Sequence, residues 1–389
     1  MIARFILPII LAIVLPEIYF DIHYLRHRFK YKLAKRLLWL APGILMVIYS
    51  IILATIKNFV PDDLKWINLY FALVGLLVFP KAVYTLCSSI GLLFCRIFHT
   101  HTNWGNLIGL FFLLCGVYVF LYGYTVGFHK LEVKHVDLYF ADLPEDFEGY
   151  RVVHFSDAHV GTYTDKRLKF LHRAIDSINA QKADMIVFTG DIQNAQPSEL
   201  YPVRNLLSSV RAKDGVYSVL GNHDYSQYIK AVPAIKKANE RETIYRERQF
   251  GWYLLLNEHR GIHRGKDSII IAGEENDGLP PFPEKGDLKK TLNGVSEKSF
   301  VIMLQHDPSA WRRDILLKSH AQLTLSGHTH GGQLSIFGLR PTMIGQKEDK
   351  GLYEERGRYL YVNAGLGGVI PFRFGVPSEI TIITLHRSK

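Results

Sequence analysis

Before residue 129 the chain carries four apolar stretches, at residues 2–20, 37–56, 67–98 and 107–128. Each meets or exceeds the ~20 residues that a helix needs to cross a bilayer. This feature constrains the fold most, because it predicts an all-helical membrane region of about four helices ahead of everything else. The first stretch contains Pro8 and Pro16. It lacks a strongly basic leader and a small-residue cleavage site, so it reads as a retained anchor. The third is too long for one straight span and has Pro80 and Lys81 midway. It reads as a kinked helix with an interfacial extension, or as two shorter segments. Lys81 is expected to snorkel to the interface, with an intramembrane role as the alternative.

Topology follows from the short loops, because Lys- and Arg-rich loops stay cytoplasmic. Arg26, Arg28, Lys30, Lys32, Lys35 and Arg36 lie between the first two stretches. With four spans, both termini and the remainder of the chain face the extracytoplasmic side. A fifth crossing within 67–98 would reverse this. The loop also accounts for much of the formal net charge of +10. No zinc-finger or RNA-binding signature accompanies the charge, so no nucleic-acid partner is expected. The partner is the lipid bilayer. The three cysteines, Cys87, Cys95 and Cys115, all lie in the apolar third. The rest of the chain therefore has no disulfide, thiolate ligand or cysteine nucleophile.

From residue 129 to 389 the texture is that of a folded domain. Residues 131–140 alternate apolar and polar, as a half-buried strand does. Residues 151–156 and 185–189 read as short buried strands. Further strands are predicted at 216–220, 268–272, 300–304, 323–325, 359–362 and 379–385. Leu168, Leu171, Ile175 and Ile178 give helical spacing over 166–181. Helices are also predicted at 200–210 and 311–319, and a loop at 278–283 (GLPPFP). Strands alternating with helices predict a layered α/β domain.

Five polar motifs follow the strands: Ser156-Asp157-Ala158-His159, Gly190-Asp191, Gly221-Asn222-His223-Asp224, Gln305-His306-Asp307 and Gly327-His328-Thr329-His330. In open α/β sheets ligands bind beyond the carboxyl ends of the strands, so one rim could collect all five. Asp and Asn offer hard oxygens and His offers borderline nitrogens, a mixture that suits Mn, Fe or Zn. Asp157 and His159 are two apart, as are His328 and His330, so each pair faces one side of a strand end. A carboxylate such as Asp191 can bridge two cations. Glycines before Asp191, Asn222 and His328 permit sharp turns. Singly these motifs are weak, since a lone D-x-H or G-D is usually a packed residue or a turn. The ordered set is what points to a metal site.

That order, D-x-H, G-D, G-N-H-D, H, G-H-x-H, resembles the calcineurin-like metallophosphoesterase family over residues 131–385. It is similar to a bacterial, membrane-linked branch that includes UDP-2,3-diacylglucosamine hydrolase types. Ala364-Gly365-Leu366-Gly367, Pro371-Phe372-Arg373-Phe374 and Pro377-Ser378-Glu379-Ile380 share in the resemblance. It implies a layered β-sandwich flanked by helices. It implies two divalent cations, manganese first, with zinc or iron as alternatives. One would take Asp157, His159, His330 and a bridging Asp191, the other Asp191, Asn222, His306 and His328. His223 would be the general acid, oriented by Asp224. Arg373 would contact substrate phosphate or lie on the surface. Many members of that family carry an acidic residue shortly after the G-D motif, where this chain reads Ile192-Gln193-Asn194, a departure that touches only the surroundings of the ligands.

The function so implied is a membrane-anchored phosphoesterase that cleaves a phosphodiester or pyrophosphate bond in a lipid-linked or nucleotide-linked substrate. The cations would clamp the phosphoryl group and acidify a water between them. A tethered phosphatase or nucleotide phosphodiesterase for soluble substrates is the alternative. A metal-binding membrane scaffold without turnover is a third. The expected division is 1–128 for the membrane region and 129–389 for the catalytic domain.

Overall fold

A computed structural model describes residues 2–55 and 65–388. Ile56 and Lys389, the ends of two predicted segments, lie outside the described residues. The chain forms two compact units, residues 1–125 and 126–389.

The first unit is helical. Four helices are long and apolar enough to cross a membrane among the described residues: α1 (Ile6–Arg28), α2 (Leu33–Thr55), α3 (Lys65–Phe98) and α4 (Gly105–His129). Helix α1 packs on α2 and α3, and α3 packs on α4. Ile13, Met46, Leu53, Ile67, Tyr70 and Val78 form the core. The long third stretch is one helix of 34 residues rather than two segments. Pro80 has no N–H to give and crowds the preceding turn. The helix absorbs this by widening, and the Phe79 N–H reaches back five residues to Val74 O.

Lys81 does not snorkel. Its Nζ lies 2.5 Å from Glu17 Oε1, under the ring of Phe20. A lone charge in hydrocarbon is costly, and an opposite charge inside the bundle is the cheaper solution. Asp21 similarly takes both Arg26, at 2.8 Å, and Arg36, at 2.6 Å.

The second unit is a sandwich of two six-stranded sheets. The first runs β1-β12-β2-β3-β4-β5, the second β10-β11-β9-β8-β7-β6. The strands are β1 (Leu131–Phe140), β2 (Tyr150–Phe155), β3 (Met185–Phe188), β4 (Val216–Ser218), β5 (Tyr253–Leu254), β6 (Glu258–Arg264), β7 (Asp267–Gly273), β8 (Val301–Leu304), β9 (Leu323–Ser326), β10 (Gly351–Glu355), β11 (Arg358–Val362) and β12 (Ser378–Arg387). Strands β2 to β5 are parallel, and so are β7, β8, β9 and β11.

Burial on both faces explains the continuous apolar runs. In β2, Val152 faces the core between the sheets, with Val187, Ile302 and Leu325. Its neighbours Val153 and Phe155 face the opposite way, onto Leu171, Ile175 and Ile178 of α5 (Leu168–Ala180). Outside the other sheet, Val301 and Met303 meet Trp311 and Ile315. The predicted helix at 200–210 is shortened to Arg204–Leu207, because Pro202 breaks its start.

Candidate metal centre

The five motifs do meet at one rim, but not at the rim of one open sheet. Asp157, Asp191 and Asn222 follow β2, β3 and β4 of the first sheet, and His306 and His328 follow β8 and β9 of the second. Among the described residues, three sets bring ligand atoms within 4.8 Å of one another: Asp157 with His159 and His330, His159 with Asp191 and His223, and Asp191 with His306 and His328.

Asp191 stands between them. Its Oδ2 lies 3.6 Å from His159 Nε2 and 3.3 Å from His306 Nε2, and its Oδ1 accepts the His223 N–H at 2.8 Å. His306 donates from Nδ1 to Thr189 O at 2.6 Å, which leaves Nε2 for the centre. Asn222 Oδ1 lies 3.1 Å from His306 Nε2 and 2.7 Å from His328 Nδ1. His330 Nε2 is 3.4 Å from Asp157 Oδ1.

These side chains are held by unusual backbone. Asp157, His159, Asp191, His328 and His330 all have positive φ, between 45° and 72°. Side chains other than glycine rarely adopt this region, and such strain gathers at working sites. The glycines ahead of them act otherwise than the sequence suggested. Only Gly190 takes a left-handed turn. Gly221 and Gly327 supply room: a Cβ at 221 would lie 2.2 Å from Asp191 Oδ1, and one at 327 would lie 2.3 Å from Asp157 Oδ2.

The donor set fits divalent cations. Both ring nitrogens of His159 and the Nδ1 of His330 are buried without a hydrogen-bond partner. Burial, aided by neighbouring imidazoles, pushes the His159 ring down to about 3 and holds His330 well below its usual range. Both are therefore in the neutral form that binds metal. Burial also pushes Asp157 up to about 7. At His306 burial lowers the pKa, but the Asp191 and Asp157 carboxylates outweigh it and push the ring up to about 10. A pocket that draws a proton onto a buried imidazole this strongly is one that accepts positive charge.

Two sequence expectations are corrected. Asp224 does not orient the His223 ring. Its carboxylate accepts the backbone N–H groups of Asp191 and Gly221 at 2.8 Å, Ile192 at 3.0 Å and Gln193 at 3.3 Å. It ties the second motif to the third. The His223 ring instead donates from Nδ1 to Asn194 O at 2.5 Å and packs on Tyr228 at 4.5 Å. Arg373 is neither on the surface nor open to substrate. It is buried, and donates to the carbonyls of Ala364, Gly365, Gly367 and Pro377. Burial lowers its pKa to about 10, so it stays charged.

Tyr228 and Thr189 are new participants. Tyr228 accepts the Asn222 Nδ2 hydrogen at 2.7 Å. No periodicity marks it, only its nearness to the third motif. In the Ile192-Gln193-Asn194 stretch it is the backbone carbonyl of Asn194 that reaches His223.

The family described as calcineurin-like phosphoesterase matches residues 150–332. The family described as probable calcineurin-like phosphoesterase, transmembrane domain, matches residues 3–128. The metallophosphoesterase YkuE of Bacillus subtilis (strain 168), named as uncharacterized, is 32% identical over 275 residues, covering 68% of this chain and 89% of that protein. The chain belongs to the calcineurin-like metallophosphoesterase family. It is thus a membrane-associated, metal-dependent phosphoester hydrolase. A Danio rerio transmembrane protein with metallophosphoesterase domain is 30% identical over 290 residues, 69% of this metallophosphoesterase and 60% of that protein. UDP-2,3-diacylglucosamine pyrophosphatase LpxG of Chlamydia muridarum (strain MoPn / Nigg) is 29% identical over 288 residues, 62% of this chain and 86% of that protein.

Proposed function

We propose that residues 1–128 anchor this metallophosphoesterase and that residues 129–389 hydrolyse a phosphodiester or pyrophosphate bond in a lipid-linked or nucleotide-linked substrate. The observation that carries the reading is that three ligand-atom sets interlock, His159 linking the first to the second and Asp191 the second to the third. Asp157, His159 and His330 would hold one cation with Asp191. Asn222, His306 and His328 would hold the other with the same carboxylate. Manganese is the first choice, with zinc or iron as alternatives. When bound, the cations supply charge to the phosphoryl oxygens and acidify a water.

The chain's own residues do the rest. The Asn194 carbonyl fixes the His223 ring through Nδ1, and the Asp191 carboxylate fixes its backbone. Nε2 is then the nitrogen free to carry a proton to the leaving oxygen, the role of a general acid. His223 also lies within ligand range of His159 and Asp191, which keeps it beside the reacting atoms. LpxG, a UDP-2,3-diacylglucosamine pyrophosphatase by name, supports a lipid-linked pyrophosphate among candidate substrates. The basic loop and four spans support an extracytoplasmic catalytic domain, which protease protection of the C-terminus would test.

The decisive experiment uses the purified full chain with bis(p-nitrophenyl) phosphate and Mn, Zn or Fe. His223→Ala is expected to keep its metal and lose roughly a hundredfold or more of kcat. No hydrolysis by the unaltered chain with any of these metals would refute the proposal.

A further inference from the structure

Shortly after His330, residues 336–344 present five large apolar side chains to solvent: Ile336, Phe337, Leu339, Met343 and Ile344. Phe337 is 101% exposed and Ile344 is 93% exposed. The segment is built, not slack. Ile336 and Leu339 exchange backbone hydrogen bonds at 3.0 Å, closing a two-residue turn. At its tip Phe337 (φ 51°) and Gly338 (φ 84°) both take left-handed backbone. Such turns favour Asn-Gly, and a bulky residue there costs roughly 1–2 kcal/mol. The exposed ring adds a solvation cost that nothing within the unit recovers.

The base of the segment is braced. Arg340 donates from Nε and Nη2 to the two oxygens of Asp349 at 2.6 and 3.0 Å, and from Nη1 to Gly338 O at 3.3 Å. The turn Pro341–Ile344 lies against the backbone two residues after His330, since a Cβ on Gly332 would meet Thr342 at 3.2 Å. The apolar protrusion therefore rises from the rim of the metal centre.

The chemistry of this protrusion matches a bilayer surface. The same chain carries four candidate membrane spans, so a leaflet is always at high effective concentration. Lys347 at the base is exposed, while Glu348 and Asp349 are buried in pairs with Arg312 and Arg340. An apolar tip beside an exposed lysine whose neighbouring charges are paired off suits lipid chains under phosphate head groups. We propose that residues 336–344 insert into the leaflet, and that the phosphoester reaching the centre belongs to the head group of a membrane-embedded lipid. The substrate half rests on the phosphoesterase reading; the docking half does not.

The test uses the full chain in nanodiscs of phosphatidylethanolamine and phosphatidylglycerol, with benzoylphenylalanine at position 337 or, as an exposed control, at 298. Illumination is expected to give lipid adducts at 337 well above those at 298. Equal yields would overturn the docking, and so would a chain-to-chain adduct at 337, which would make the occupant a second copy. In parallel, Phe337→Ser with Ile344→Ser should lower kcat/KM for a vesicle-borne phospholipid about tenfold or more. Hydrolysis of soluble bis(p-nitrophenyl) phosphate should not change. Equal loss on both esters would overturn the substrate assignment. An unaltered chain that cleaves neither ester would refute the phosphoesterase reading, and the adducts would still decide the docking.

Discussion

Arg373→Ala is expected to destabilise the catalytic unit rather than weaken a substrate contact. Nη2 donates to Gly367 O at 2.6 Å, Ala364 O at 2.8 Å and Gly365 O at 2.9 Å, and Nη1 donates to Pro377 O at 3.1 Å. Four bonds to a charged donor, at about 1.5–3 kcal/mol each, come to about 6–12 kcal/mol gross. Removing a buried guanidinium returns several kcal/mol of desolvation, so the net loss is about 3–5 kcal/mol. At about 2–4 °C per kcal/mol for a unit of this size, the melting temperature should fall by about 6–20 °C. The buried indoles of Trp252 and Trp311 make fluorescence a suitable readout. The damage should reach the centre, because Leu366 and Gly367 donate backbone hydrogen bonds to Ser156 O and Asp157 O at 2.9 and 2.8 Å. Arg373→Lys keeps the charge but not the planar fork, and should melt between the two. A variant that melts within about 2 °C of the unaltered chain and loses only substrate affinity would refute the reasoning and make Arg373 a substrate ligand.

Asp224→Asn places an NH2 against two backbone N–H donors whichever way the amide turns, at a cost of about 2–6 kcal/mol. Thermal stability and metal content should fall together; a variant that keeps both and loses only kcat would restore the view that Asp224 orients His223. His154 makes stability pH-dependent. Burial pushes its pKa down to about 3, below the unfolded value near 6.5, so the unfolded chain takes up the proton first as pH falls. Its contribution is complete above pH 6.5 and declines below it, by about 3 kcal/mol at pH 4. His154→Gln should flatten that slope in melting curves taken from pH 8 to pH 4, and an unchanged slope would count against the assignment.

Some elements were legible because their surroundings are simple. Strand β3 is apolar throughout and β2 carries the Val152-Val153 pair, since both faces are buried, and α5 shows its buried stripe at Leu171, Ala174, Ile175 and Ile178. Others gave no signal. Strand β6 reads EHRGIHR and lies at a sheet edge, so only Ile262 is buried. The helix Pro233–Gln249 buries only Thr243 and Glu247, so no apolar stripe announces it. The sequence marked Asp191 as a carboxylate able to serve two cations, and its place between His159 and His306 came from the packing of the two sheets. The inward turn of Arg373 was not, because an arginine satisfied by distant carbonyls looks like any surface arginine in a one-dimensional pattern.

The sequence by itself determined that the first third belongs in a membrane, and which side chains could bring lone pairs to a metal. Those are properties of composition, period and order along the chain. Only the tertiary structure decided that two different sheets end at one rim, that the candidate ligands themselves occupy left-handed backbone, and that Glu17 waits for Lys81. The physical reason is separation. The His328 N–H meets the Asp157 carboxylate across 171 positions, and Lys81 meets Glu17 across 64. Local periodicity carries no information about pairings at that range; the packing of sheets and helices sets them.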